Sequence, residues 1–284
     1  MLHLTECPRD AMQGIKTFIP TEHKIEYINS ILKAGFNTVD FGSFVSPKAI
    51  PQMRDTAEVL ANLNLEHTQS RLLAIIGNKR GGETAASYPE ITYLGFPFSI
   101  SDVFLQRNIN ASLEKSFQTA CELLELSEKK GKKLRLYISM AFGNLYHEPW
   151  SQEILQEWVD KLAAAGFTRL WLSDTVGVGT EQVIGEAFGK LVPSYPEVEF
   201  GLHLHTTSEK WYEKIDAAYQ HGCRSFDGVL SGLGGCPMAG PKMVGNVMTA
   251  DLLSYFQNNN ISTPVNRAAF NQAVRVASQI MPVE

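Results

Sequence analysis

The sequence predicts a (β/α)8 barrel, an α/β fold in which eight parallel strands alternate with helices. Eight short β-rich runs alternate along the 284 residues with longer segments of helical spacing. A G-x-G-x-x-G motif does not follow the first run, which disfavours an open dinucleotide-binding sheet. A single barrel needs roughly 250 residues. We therefore expect one domain over 1–284, with a short helical extension at about 262–284.

The predicted strands are short runs, each bounded by a helical segment or a turn. In chain order they are 2–6, 37–41, 71–77, 90–96, 134–140, 169–174, 197–205 and 224–230. Strand–helix alternation implies parallel strands joined by right-handed crossovers. Eight such repeats favour closure into a barrel.

The helical segments carry signals at their ends. Apolar residues at helical spacing predict a helix over 25–35, which ends at Gly35. The segment 112–131 starts at Ser112 and ends in lysines and a glycine, as helix C-termini tend to. The segment 151–166 has Ser151 as its predicted N-cap and a glycine after its last turn.

Composition narrows the class of protein. The chain is 44% hydrophobic and 19% charged, so it can bury a sizeable core. Its formal net charge is −5, and it has no basic block interleaved with aromatics, so we expect no nucleic-acid partner. Its apolar runs fall short of the roughly 18 residues that a membrane span needs. Four cysteines without a C-x-x-C pair suit reduced thiols, so we expect a cytoplasmic protein without a targeting peptide.

Barrel enzymes place their chemistry at the C-terminal ends of the strands. Strand seven ends in GLHLH, and because side chains alternate between faces, Gly201, His203 and His205 should point into the barrel. Two imidazoles roughly 6–7 Å apart on one strand face can converge on one ion. The alternative is a pair of hydrogen-bonded core histidines.

Acidic residues lie at or shortly after the ends of three other predicted strands. Arg9 and Asp10 follow strand one, where Asp10 could bind a metal and Arg9 could stabilise an oxyanion. The alternative for this pair is a surface salt bridge. Asp40 ends strand two and Asp174 ends strand six. Asp174 is either a reactive carboxylate or a residue that shapes the following loop.

A glycine-rich loop, GLGGCPMAGPKMVGN, follows strand eight. Such a loop suits a flexible lid. Cys236 lies in its middle, where a thiol could move a proton. Asn246 closes the loop and could offer an amide oxygen to a hard cation, or could simply cap a turn.

Five stretches, in this order, resemble a known family: CPRDAMQ, SFVSPKAIPQM, SDTVGVGT, HLH and GLGGCP. They resemble the 3-hydroxy-3-methylglutaryl-CoA (HMG-CoA) lyases, which belong to a group of metal-dependent barrels. The same group contains isopropylmalate, homocitrate and citramalate synthases. The likeness runs from about residue 4 to 256 and includes the segment 106–117.

The resemblance assigns roles to matching positions. It implies a divalent cation, Mg²⁺ or Mn²⁺ with Zn²⁺ also possible, bound by a set of four residues: Asp10, His203, His205 and Asn246. Arg9 would stabilise an enolate oxygen and Cys236 would help to transfer protons. The candidate bases are His203, Asp174 and Asp40.

Further positions match residues near the substrate. The resemblance places four of them near the substrate: Gln13, Ser43, Tyr137 and Ser139. Asn78, Lys79 and Arg80 could meet the phosphates of coenzyme A (CoA), although solvated loop charges are the alternative. The implied reaction is cleavage of the acyl-CoA HMG-CoA to acetyl-CoA and acetoacetate, a step of leucine degradation. A homodimer is possible.

The chain departs from the family pattern close to the substrate. Asp40 stands where the family has Glu, and Thr206 stands where it usually has Asp. Ser208 and Glu209 replace a common Tyr-Gly pair. Three alternatives therefore stay open: an acyl-CoA condensing synthase, a metal aldolase acting on a small keto acid, and a barrel that serves only as a scaffold.

Overall fold

The computed structural model describes residues 2–235 and 244–281, and it confirms the predicted barrel. Eight parallel strands pair in chain order, and β1 closes the barrel against β8. The strands are β1 (His3–Glu6), β2 (Thr38–Ser43), β3 (Arg71–Ile75), β4 (Ile91–Ser99), β5 (Lys133–Ser139), β6 (Arg169–Asp174), β7 (Glu199–Leu204) and β8 (Ser225–Gly228).

Helices connect the strands, and most of them cover the outside of the barrel. They are α1 (Pro8–Gln13), α2 (Thr21–Leu32), α3 (Thr56–Ala61), α4 (Lys79–Ala86), α5 (Asp102–Ile109), α6 (Leu113–Lys129), α7 (Gln152–Ala164), α8 (Glu181–Ser194), α9 (Trp211–Gln220), α10 (Thr249–Asn258) and α11 (Arg267–Ile280), with a short 3₁₀ helix at Pro51–Met53. Within the described part of the chain, no helix combines the length and apolarity that crossing a membrane requires.

Helix ends follow the predicted capping residues. The Ser112 hydroxyl accepts a hydrogen bond from the Lys115 amide, and the Ser151 hydroxyl accepts one from Ile154. Such a cap stabilises a helix by about 1 kcal/mol. The first predicted helix was placed too late, because it begins at Thr21 directly after Pro20. The predicted C-terminal extension is α11, which packs on α2.

Several predicted strand bounds were wrong by two or three residues. β3 ends at Ile75 rather than at residue 77, because the next residues turn into α4. β4 continues to Ser99, where it stays paired with Ser139 of β5. β7 ends at Leu204, so His205 lies just past the strand and forms an antiparallel bridge with Asn246.

Polar side chains fill the interior of the barrel. Arg135 of β5 donates to the Thr5 hydroxyl of β1 at 3.1 Å, a contact that must cross the interior because these strands are not neighbours. Trp171 of β6 donates its indole N–H to Asp227 of β8 at 2.9 Å and so spans β7. Gly201 lies beneath that indole, since an added Cβ would come within 2.3 Å of the ring. This layer supports the strand ends above it.

Candidate metal centre and active site

Three predicted metal ligands meet at the mouth of the barrel. One ligand atom from each of Asp10, His203 and His205 lies within 4.8 Å of the others. The two imidazole centroids are 5.1 Å apart. Phe200, Leu202 and Leu204 are buried in the hydrophobic core, as the strand alternation predicts. The histidines therefore converge with a carboxylate and are not separate core residues.

Asp10 reaches the centre because α1 begins immediately after β1. Pro8 occupies the first turn of α1, where its missing N–H costs nothing, and the Asp10 amide donates to the Cys7 carbonyl at 3.1 Å. The helix turns the chain back over the mouth of the barrel. Arg9 and Asp10 are 8% and 4% exposed, which excludes the surface salt bridge considered from the sequence.

Asn246 lies beside Asp10. Two backbone hydrogen bonds hold its segment against the end of β7: Thr206 N–H to the Gly245 carbonyl, and Val247 N–H to the Leu204 carbonyl. The Asn246 amide nitrogen donates to Asp10 Oδ2 at 2.5 Å and to the Leu233 carbonyl at 3.0 Å. Asparagine oxygen and nitrogen positions are assigned from such contacts. A ligand role requires the amide oxygen to turn towards the cation.

The residues present fit a divalent cation. His205 is 3% exposed, and its Nδ1 atom has no hydrogen-bond partner among the described residues. A buried polar atom without a partner is costly, and a cation would satisfy it. Burial and the neighbouring His203 lower the pKa of His205 to about 4, so the ring is neutral at pH 7 and one of its nitrogens has a free lone pair. Imidazole and carboxylate donors suit Mg²⁺, Mn²⁺ and Zn²⁺.

Asp227 orients His203. Its Oδ2 atom lies 3.1 Å from His203 Nδ1, while its Oδ1 atom accepts from Trp171. Burial opposes a charge on His203, but the hydrogen bond and charge of Asp227 outweigh it and raise the pKa of His203. Nδ1 is thus engaged and Nε2 remains for a ligand.

Sequence reasoning missed Asp227, although the signal was present. In RSFDGVL, Ser225 and Asp227 alternate with the core residue Phe226, which places a carboxylate on the interior face. The same alternation in LRLYIS places Arg135, which was also missed, inside the barrel together with Tyr137, which the resemblance had already singled out. Polar residues at interior positions of two further strands could therefore have been found.

Arg9 is held by two carboxylates. Its Nε and Nη2 atoms donate to Asp40 Oδ2 at 3.0 and 2.5 Å, and Nη1 donates to Asp10 Oδ1 at 2.9 Å. Burial opposes the charge, but Asp40 and Asp10 together raise the pKa of Arg9 above its usual value. A permanently charged guanidinium is thus fixed beside the metal centre. Asp40 is engaged by Arg9, a contact that suits positioning better than proton abstraction.

Asp174 points away from the interior. Lys214 of α9, which is 3% exposed, donates to Asp174 Oδ2 at 2.9 Å, and the Gly179 amide donates to Oδ1 at 3.1 Å. On β6 it is Trp171 and Ser173 that face inward, so Asp174 shares its face with Leu172. These contacts match the loop-shaping alternative, and a catalytic role for Asp174 stays a prediction.

Comparison with known proteins settles the family. The HMGL-like family profile matches residues 4–277. The chain belongs to the HMGL-like family. It is 32% identical over 261 residues to the mitochondrial hydroxymethylglutaryl-CoA lyase of Macaca fascicularis, a match that covers 91% of this chain and 79% of the relative. The human cytoplasmic 3-hydroxy-3-methylglutaryl-CoA lyase is 31% identical, with 91% and 69% covered.

A solved structure agrees with this placement. The HMG-CoA lyase of Acinetobacter baumannii, in complex with coenzyme A and 3-methylmalate, superposes with a TM-score of 0.91. It is 30% identical, and the match covers 99% of this chain and 91% of that one. This HMGL-like chain therefore shares both the barrel and its closure with an HMG-CoA lyase.

Two of the predicted substrate residues touch the metal centre of this HMGL-like protein. Gln13 donates to Asp10 Oδ1 at 2.6 Å. The Tyr137 ring lies edge-on to the His203 imidazole with centroids 5.7 Å apart. Ser43 donates instead to the Ile75 carbonyl, and Ser139 ends β5, where its carbonyl accepts from Ser99. The substrate roles of these four residues stay predictions.

The residues predicted for CoA and for the lid lie elsewhere. Asn78 caps α4 by accepting from the Gly81 amide, so its side chain already has a structural partner. Lys79 is exposed and pairs with Glu122 at 3.4 Å, and Arg80 is exposed beside it. Cys236 lies outside the described residues, as does the rest of 236–243.

Proposed function

We propose that this protein is a divalent-metal-dependent carbon–carbon lyase that cleaves HMG-CoA to acetyl-CoA and acetoacetate. The observation that carries the proposal is the convergence of Asp10, His203 and His205 beside the fixed guanidinium of Arg9. This arrangement lies at the C-terminal end of an HMGL-like barrel, where such folds bind their substrates.

The reaction is a retro-Claisen cleavage. The C3 hydroxyl of the substrate loses its proton, and its oxygen becomes the ketone of acetoacetate. The C2–C3 bond breaks, and its electron pair forms the enolate of acetyl-CoA, which then takes up a proton at C2. A bound divalent cation would supply Lewis acidity that makes the hydroxyl easier to deprotonate.

Arg9 stabilises the charge that develops on the enolate oxygen. Asp40 and Asp10 hold the guanidinium in place before the reaction, so little reorganisation is needed when the charge appears. Because Asp40 carries this contact, we assign it to positioning Arg9. Gln13 fixes the orientation of the Asp10 carboxylate from the other side.

Among the candidate bases, His203 has the contacts that a base requires. Asp227 holds its Nδ1 atom and raises its pKa, whereas Asp174 faces Lys214 and Asp40 faces Arg9. Metal binding through Nε2 would use the same lone pair, so the ligand and base roles of His203 are alternatives.

We propose Cys236 as the residue that helps to protonate the enolate. Cys236→Ala should slow turnover while metal affinity stays unchanged.

The remaining proposals concern the identity of the cation, the residues that bind the CoA phosphates, the oligomeric state and the location in the cell. We propose Mg²⁺ or Mn²⁺ as the physiological cation. For the CoA phosphates we propose Lys79 and Arg80, exposed at the N-terminal end of α4, where a helix favours anions. A homodimer and a cytoplasmic location also stay proposals, which light scattering of the purified protein and cell fractionation would test.

One experiment tests the function. The purified protein is incubated with Mg²⁺ and HMG-CoA, and acetoacetate is measured with and without EDTA. We expect acetoacetate only when the metal is present. If no acetoacetate forms, and a free 4-hydroxy-2-keto acid is cleaved instead, the protein is the metal aldolase that the departures at Asp40 and Thr206 left open.

A further inference from the structure

Glu6 is a fully buried carboxyl group outside the metal centre. It ends β1 and shares its strand face with Leu4, on the helix side of the barrel, with 0% of its surface exposed. Carboxyl groups are rarely buried so completely unless their oxygens form hydrogen bonds or ion pairs. Its contacts therefore point to a specific task.

The two oxygens of Glu6 bind two different segments. The Leu230 amide donates to Oε1 at 2.6 Å, and the Thr249 hydroxyl contacts Oε2 at 2.5 Å. Leu230 belongs to residues 229–230, the exit segment after β8. Thr249 belongs to residues 244–249, the return segment that leads into α10.

The exit and return segments are also joined by their backbones. The Val229 amide donates to the Val247 carbonyl, and the Thr249 amide donates to the Val229 carbonyl, both at 3.1 Å. Met248, the residue before α10, supplies no side-chain cap. The Glu6 carboxyl therefore holds the first residue of α10 through its side chain, from a distant part of the sequence.

The protonation state of the Glu6 carboxyl follows mainly from its burial. Burial raises the pKa of Glu6 to about 8, although its hydrogen bonds with Thr249 and Leu230 oppose the shift. At neutral pH the group is largely protonated, and a protonated carboxyl has one donor beside its acceptor oxygen. Glutamine has the same shape and the same pattern of one acceptor and one donor.

Two of the four proposed ligands, Asp10 and Asn246, lie on segments that lead away from this anchor. β1 continues from Glu6 into α1, which carries Arg9 and Asp10. The return segment carries Asn246, whose amide contacts Asp10. We propose that Glu6 is a positioning residue that anchors the return segment to β1 and thereby sets Asn246 against Asp10. The link to metal binding rests on the proposed function.

The test compares Glu6→Ala, Glu6→Gln and the wild-type protein by two measurements. Hydrogen exchange without metal reports the anchor itself. We expect faster hydrogen exchange in Glu6→Ala at 229–230 and 244–249, with exchange in β5 unchanged.

Mn²⁺ titration followed by electron paramagnetic resonance measures the affinity of the metal centre. Loss of an outer hydrogen-bonding partner typically weakens metal affinity about tenfold or more, and we expect this loss in Glu6→Ala. Glu6→Gln should stay close to wild type in both.

The chain supplies a matched control. Glu199 starts β7 at the opposite end of the barrel and accepts from the Ser225 hydroxyl at 2.9 Å. Glu199→Gln should change neither hydrogen exchange in the return segment nor Mn²⁺ affinity.

If Glu6→Ala does not fold, a second variant, Thr249→Val, removes only one of the two Glu6 contacts. It should speed exchange at 244–249 and leave the Leu230 amide, which Glu6 still binds, protected.

Four results would overturn the inference. They are unchanged exchange at 244–249 in Glu6→Ala, faster exchange throughout the barrel, unchanged Mn²⁺ affinity, and a loss in Glu6→Gln as large as in Glu6→Ala. Wild-type protein that takes up no Mn²⁺ would instead refute the proposed metal centre. The exchange measurement, made without metal, would still decide whether Glu6 anchors the return segment.

Discussion

Asp227 determines which nitrogen of His203 is free to face the metal centre. The carboxylate engages Nδ1 and is itself held by Trp171, with the Arg135 guanidinium 3.8 Å away. Carboxylates that orient metal-binding imidazoles also make them stronger ligands. A residue that touches no substrate can therefore control the affinity for the cation.

Asp227→Asn should lower Mn²⁺ affinity about 10–100-fold, the usual cost of altering a group behind a metal ligand. The amide keeps the size of the side chain but loses the charge that raises the basicity of His203. Calorimetric titration measures the change. Asp160→Asn, on the surface beside Tyr195, is the control and should bind as wild type does. Equal affinities in a folded Asp227→Asn variant would show that Asp227 only packs the interior.

Arg9→Met should reduce kcat by about 10²–10³-fold, as loss of one oxyanion-stabilising donor does, and should change KM far less. The reason is that the guanidinium contact strengthens as the enolate forms. Steady-state kinetics with HMG-CoA provides the measurement. Arg71→Met, at the exposed start of β3, is the control. A change confined to KM would move Arg9 to ground-state substrate binding.

The sequence predicted the residues of the centre better than their partners. Strand alternation placed His203 correctly, and His205, just past β7, on the same side. Asp10 and Arg9 followed from their position after β1. Asp174 was placed at a strand end without asking which face it occupies, and the face decides that it meets Lys214. Lys214 itself could not be found, because its contact joins α9 to the end of β6, and sequence spacing does not relate these two elements.

At the level of elements, strand order and type were predictable because each strand and helix carries its own local pattern. Ends were less predictable, since pairing with a neighbour decides them. β4 runs to Ser99 because β5 offers partners that far. The contact between β1 and α10 through Glu6 was not predictable, because 243 positions separate Glu6 from Thr249. Tertiary contacts of this length leave no periodic signal.

Glu6 should make stability depend on pH. Its pKa is raised from 4.5 to about 8, so between these values the unfolded chain has released a proton that the folded protein keeps. The contribution of Glu6 to the free energy of unfolding is then full below about pH 4.5 and is lost as pH rises towards about 8, by up to about 1.4 kcal/mol per pH unit. Urea unfolding of wild type and Glu6→Gln near both limits isolates this contribution, since Gln cannot titrate. Parallel pH profiles for the two proteins would contradict the raised pKa.

For the whole molecule, the polar interior and the metal centre form one continuous system. Arg135, Trp171 and Asp227 link β5, β6 and β8 below His203, while Glu6 links β1 to α10 beside it. The three converging ligands, Asp10, His203 and His205, come from two regions that these contacts hold, the end of β1 and the end of β7. A cation that binds both regions binds only the folded barrel, so metal uptake should stabilise the molecule as a whole.

Saturating Mn²⁺ should therefore raise the melting temperature of the wild-type protein. A ligand at 100 times its Kd adds about 2.7 kcal/mol to the stability of a protein that binds it only when folded. His205→Ala removes a buried imidazole whose Nδ1 has no other partner in the described chain, so it should abolish most of the shift. His67→Ala, which removes an exposed imidazole from the surface, should keep it. Scanning calorimetry with and without Mn²⁺ compares the three proteins. If His205→Ala is stabilised as much as wild type, the cation binds elsewhere, and the convergence of Asp10 with the two histidines has another cause.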